Sequence, residues 1–211
     1  MFKVIQKRTG RTAYIEPDQK QIRQRQIFLF AMFLSGLILG SLTVRQGENI
    51  IFDRLYLLIR NYIEVKQTQS VWINFNNVLL KRVLTLVLLY CIGVCALGAP
   101  ILYLAPAVHG TGIGVISAYL YSAFSLKGIG YCALLLYPGE ILFTAVMIFG
   151  CTISIEMAGK LLHSMRPPQD LPEISLQRYS VRYGVLFLLC AVSAVLETAM
   201  FTIFSGYFQF S

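Results

Sequence analysis

Four residues have side chains able to do chemistry inside stretches that are otherwise apolar: His109, Glu140, Glu156 and Glu197. A carboxylate at the centre of a bilayer costs about 2.5 to 3.5 kcal/mol, whereas an interhelical hydrogen bond returns about 0.6 kcal/mol. Each such residue therefore needs a specific reason to be there. Glu197 sits midway along an apolar run between Val195, Leu196 and Met200; it reads first as a neutral carboxyl hydrogen-bonded to another span, and second as a proton or partner site. Glu140 follows Pro138 and Gly139, a pair that interrupts a helix, so it falls in the first turn of the helix that resumes there. Its charge would then meet the positive end of that helix's dipole. Glu156 stands four residues before Lys160, the spacing of an ion pair along one helical face. His109 lies in a glycine-rich stretch and reads as a turn histidine bonded to backbone rather than as a proton carrier.

Catalysis finds little support in these residues. The chain has no His-Glu-x-x-His, no Gly-x-Ser-x-Gly, no phosphate-binding loop and no carboxylate pair at a catalytic spacing. Glu140 and Glu156 are sixteen residues apart, which sends them to nearly opposite faces of a straight helix at 3.6 residues per turn. The five cysteines, Cys91, Cys95, Cys132, Cys151 and Cys190, all fall in apolar runs without histidines at zinc spacing, and read as inert packing residues. No enzyme activity, metal or cofactor is expected.

The elements that must position these groups follow from composition. Of 211 residues, 56% are hydrophobic and 13% charged, and between Arg82 and Lys160 the only charged residues are Lys127, Glu140 and Glu156. Runs of about 20 apolar residues match the roughly 30 Å core of a bilayer, so the expected fold is an all-α membrane protein of about five spans, at 27–44, 83–105, 107–126, 130–159 and 183–207. Pro100, Pro106, Pro138 and the glycines from Gly98 to Gly139 suggest broken, re-entrant-like helices in the centre, with a tight reversal from Pro106 to Gly114. Gly36 and Gly40, like Gly110 and Gly114, are four apart and would admit another helix at close range, including one from a second copy in a homo-oligomer.

Outside the spans, residues 1–26 form a basic tail, and 27–211 form a single membrane domain. Residues 48–66 read as an amphipathic helix in the membrane interface, with Leu55, Leu58 and Tyr62 on a face available for docking. The formal charge of +8 sits in the tail and beside apolar runs without interleaved stacking aromatics, which suits anionic lipid and argues against nucleic acid. With five crossings, the side holding the tail carries eleven Lys and Arg residues and the other side seven, so the amino terminus is expected in the cytoplasm and the carboxyl terminus outside.

The stretch GAPILYLAPAVHGTGIGVISAYLYSAFSLKGIGYCALLLYPGEILFTAVMI resembles the stage II sporulation protein M family of bacterial membrane proteins. The likeness rests on Gly98 with Pro100, the glycines Gly110 to Gly114, Lys127 with Gly128, and the aliphatic run from Leu134 to Pro138. The resemblance implies a non-catalytic scaffold in the bacterial cell membrane that recruits extracytoplasmic cell-wall hydrolases, stage II sporulation proteins D and P, to the septal membrane during engulfment. The residues alone leave open a second class, a small transporter or permease subunit with a polar site at mid-depth formed by Pro138, Gly139, Glu140, His109 and Glu197.

Overall fold

A computed structural model describes residues 19–46, 69–164 and 175–204. The basic tail up to residue 18, the amphipathic segment with Leu55, Leu58 and Tyr62, and the end of the last expected span lie outside the described residues. Those described form an all-α membrane fold without strands: α1 (Gln19–Gln46), α2 (Val71–Val94), α3 (Ala99–Tyr131), α4 (Tyr137–Ser164) and α5 (Leu176–Phe204). Five segments, Gln19–Val44, Val71–Val94, Ala99–Phe124, Gly128–Ser164 and Leu176–Phe204, are long and apolar enough to cross a membrane.

Two expected boundaries are corrected. The second span begins at Val71, not near Val83, so Lys81 and Arg82 lie within α2 rather than flanking it. The reversal expected at Pro106 to Gly114 occurs instead at Cys95 to Gly98, where Cys95 N–H donates to the Ile92 carbonyl and Gly98 N–H to the Cys95 carbonyl. A Cβ on Gly98 would collide with the Ile92 carbonyl, so the turn requires a residue without a side chain. Pro100 then occupies the first turn of α3, where its missing N–H breaks no helical bond. Pro106 is buried inside α3, which continues through it and through the glycines beyond.

Those glycines serve packing. Gly36 and Gly40 of α1 face Ala107 and Thr111 of α3, and Gly110 and Gly114 of α3 face Phe33 and Leu37 of α1. At all four positions an added Cβ would run into the other helix's backbone carbonyl. The two helices thus run parallel with their backbones in contact, the close approach that small residues permit between membrane helices.

The remaining contacts fix the other directions. Gly128 abuts the Leu120 carbonyl and Tyr137 Oη donates to Ser117 Oγ at 3.2 Å, so the chain folds back between Leu120 and Gly128, within the residue range of α3. Residues Cys132–Leu136 form one π-helical turn directly before Pro138. Pro138 has no N–H to give to a carbonyl one turn back, and a widened turn accommodates that loss. Helix α2 runs parallel to α4 and antiparallel to α5, since Arg82 reaches Glu140 and Glu197 while Leu89 and Tyr90 meet Ser154 and Tyr179. The five helices therefore alternate in direction along the chain. One apolar core joins Leu29, Leu86, Leu102, Met147, Cys151, Tyr183 and Cys190 toward one end of the bundle; a second joins Val44, Leu120, Tyr131, Leu135 and Phe201 toward the other.

Candidate functional site

Arg82 is the residue around which the polar interior is built. It is the twelfth of 24 residues in α2 and only 3% exposed, a position that no cation occupies without partners. Its Nη2 donates to Glu197 Oε2 of α5 at 2.5 Å and lies 3.4 Å from Glu140 Oε1 of α4. Nη1 donates to Ser193 Oγ of α5 at 2.8 Å. The guanidinium also sits over the Phe143 ring of α4, 5.2 Å from its centroid, in cation–π geometry. Gly139 makes the arrangement sterically possible, because a Cβ there would stand 2.7 Å from Glu197 Cβ and 3.1 Å from Arg82 Nη2.

His109 of α3 approaches the same group from the other side. Its Nε2 is 3.2 Å from Glu140 Oε2, within ion-pair reach but misaligned for a full hydrogen bond, and both atoms are buried without any other partner. Aromatic rings flank the imidazole: Phe143 meets it edge-on at 5.3 Å and Phe33 of α1 lies at 6.3 Å. Four helices thus meet at one polar centre with a ring of α1 beside it, and His109, the Gly139–Glu140 pair that directly follows Pro138, and Glu197, far apart in sequence, are brought together there. Two expectations change. His109 is a mid-helix residue facing a carboxylate rather than a turn residue bonded to backbone, and Glu197, expected as a neutral carboxyl hydrogen-bonded to another span, does bond another span but through the guanidinium of Arg82.

Residues 29–202 match the family model described as stage II sporulation protein M. The chain belongs to the stage II sporulation protein M family. No curated protein and no solved structure matches it. As a member of this family with five helices of membrane-crossing length, it is a sporulation-related multipass membrane protein. In this family member the match takes in every residue of the polar centre.

Glu156 lies apart from that centre. It pairs with Lys160 at 2.8 Å and with Arg182 of α5 at 3.4 Å, on a bundle end where Arg182 is more than half exposed. A second polar knot, absent from the sequence reading, ties α2, α4 and α5. Ser154 Oγ lies 2.5 Å from Tyr183 Oη and 3.0 Å from Tyr179 Oη and donates to the Leu89 carbonyl at 3.1 Å. Tyr179 Oη donates to the Tyr90 carbonyl and Tyr183 Oη to that of Gly150. Gly93 leaves the room, since a Cβ there would stand 2.7 Å from Ser154 Cβ. Of the cysteines, Cys132, Cys151 and Cys190 are buried, whereas Cys91 and Cys95 are exposed on the bundle surface, contrary to the expectation for all five.

Arg82 was the residue that sequence reasoning misplaced. An expected span start at 83 leaves Arg82 just outside the membrane, yet a buried Glu197 calls for a cation, and few lie within or beside apolar runs. That demand was the usable signal.

Proposed function

We propose that this chain is a non-catalytic membrane scaffold that recruits extracytoplasmic cell-wall hydrolases, of the kind of stage II sporulation proteins D and P, to the septal membrane during engulfment. The observation that supports this reading is the way its mid-depth charges engage one another. Arg82 is held by Glu197, Glu140 and Ser193 across three helices, as in a brace that fixes helix positions, and Gly139 closes the space beside it. A rigid bundle of this kind suits a protein that presents its outer loops to partners.

The orientation required is amino terminus in the cytoplasm. Eleven basic residues on the side of the tail against seven on the other favour it. The connection containing Leu55, Leu58 and Tyr62 then faces the partners. Affinity capture from sporulating cells tests the reading: the unaltered protein should bring down a cell-wall hydrolase, and polar substitution of Leu55, Leu58 and Tyr62 should weaken that capture at equal membrane abundance. Capture without any hydrolase, together with solute flux in reconstituted vesicles, would replace the scaffold by a permease subunit. That second reading draws on the close but misaligned His109 and Glu140, which could serve a transported ion.

A further inference from the structure

A helix that crosses a membrane turns apolar side chains toward lipid, because an ionisable group there finds nothing to pair with. Helix α2 departs from that pattern at Lys81. Asn77, Lys81, Leu84, Leu88 and Cys91 succeed one another at alternating steps of four and three, Cys95 is one step further at the helix end, and all six are exposed. Such spacing forms the seam along which one helix seats its side chains between those of another. Arg82, the next residue in the chain, turns inward to Glu140 and Glu197. Lys81 turns outward and has no ion pair among the described residues. One turn above it, Asn77 gives an N–H to Gln69 Oε1 at 3.3 Å and otherwise faces outward.

The depth of Lys81 decides what can reach it. It stands ten residues after Val71, where α2 begins, about 15 Å along the axis at 1.5 Å per residue, or half of a core of roughly 30 Å. Helix α1 gives the same measure: Phe33, beside His109 of the polar centre, precedes Val44 by eleven residues, about 16 Å. The four-carbon stem of a lysine does not span that depth, so lipid phosphates lie out of its reach. A second copy does not serve either. Two copies packed along this seam about a two-fold axis would set Lys81 against Lys81, and the carboxylates among the described residues, Glu140, Glu156 and Glu197, are already engaged.

We propose that this seam of α2 receives a membrane-spanning helix of another protein, one that carries an aspartate or glutamate at mid-depth to pair with Lys81. The carboxylate accepts from the Lys81 ammonium and from the Asn77 amide, while Leu84 and Leu88 supply apolar packing below. One polar position in an otherwise apolar seam fixes register and selects the partner.

The natural thiols of Cys91 and Cys95 lie on the same seam and report its occupation. Full-length protein in zwitterionic nanodiscs is mixed with leucine-rich transmembrane peptides bearing a central Glu or a central Leu. Each peptide has one cysteine as far from its centre as Cys91 is from Lys81, on one side or the other. Oxidative cross-linking of the Glu peptide to Cys91 or Cys95 should exceed that of the Leu peptide by about 3- to 20-fold. Lys81→Leu should remove the preference, and Lys81→Glu should transfer it to a peptide with a central Lys. Lys81 is exposed, so neither variant touches the core, and unchanged helicity verifies this. Equal cross-linking of the Glu and Leu peptides to the unaltered protein overturns the proposal, as does a preference that survives in Lys81→Leu. A preference that vanishes when phosphatidylglycerol is added overturns it as well, because a lipid phosphate then holds Lys81. No hydrolase enters the measurement, so the scaffold reading stands or falls separately.

Discussion

Replacing Arg82 by Met tests whether one guanidinium satisfies two carboxylates. Met keeps much of the length and apolar bulk of the arginine stem but leaves Glu140 and Glu197 buried together without the cation that both approach. A carboxyl of ordinary pKa about 4.3 requires about 3.7 kcal/mol to be held neutral at pH 7, at 1.36 kcal/mol per unit. If one carboxylate keeps its charge, the loss is about 3.7 kcal/mol; if both must be neutral, it approaches about 7 kcal/mol. Glu197→Gln is milder, since Arg82 keeps Glu140 and Ser193 and the amide oxygen still accepts. It forfeits the charge in one bond, about 1.5 to 3 kcal/mol. Reversible unfolding in mixed micelles, with helicity as the signal, should therefore rank Arg82→Met well below Glu197→Gln at pH 7. The gap should narrow at pH 5, because neutralising each carboxyl then costs only about 1 kcal/mol. Equal losses in the two variants, or a gap that does not change between pH 7 and pH 5, would refute the shared-cation account.

The other structural contacts predict their own outcomes. Gly40→Leu drives a side chain into the Thr111 backbone and should abolish a disulfide engineered between α1 and α3, while Gly159→Ala, which meets nothing within 4 Å, should leave it intact. Tyr183→Phe removes the hydroxyl that lies between Ser154 and the Gly150 carbonyl and should cost about 1 kcal/mol in the same unfolding assay. Glu156→Gln weakens its pairs with the largely buried Lys160 and the exposed Arg182 and should cost about 1 kcal/mol, of which only the Arg182 share falls away at high salt. A cysteine placed at Thr68 should react with an impermeant thiol reagent in intact cells and one at Gln19 should not, measured in a background lacking the exposed Cys91 and Cys95; the reverse pattern inverts the topology.

The helix count and the all-α class were legible because long apolar runs have few solutions in a bilayer: backbone groups must be satisfied within the segment. Boundaries failed where rules learned in water were applied to a bundle. Pro106 and Gly110 to Gly114 read as a reversal, yet α3 passes through them, because neighbouring helices hold a proline-bearing helix in place and glycine serves close approach rather than chain breaking. The Glu156–Lys160 pair was readable from spacing alone, being local. The centre was not: Arg82 and Glu197 are 115 residues apart, and no local periodicity connects them. What could be read was the demand each buried charge makes, not the partner that meets it.

The glycine seam between α1 and α3 also orders events in time. A chain threaded into the membrane from its amino terminus delivers α1 first, yet the backbone that α1 docks against begins at Ala107, after the whole of α2 has been made. Until then the grooves at Gly36 and Gly40 face lipid. Assembly of this seam is accordingly discontinuous: α1 and α2 are both made before its second half exists, and it closes only when α3 arrives alongside, which makes α3 the segment on which the packing of α1 depends.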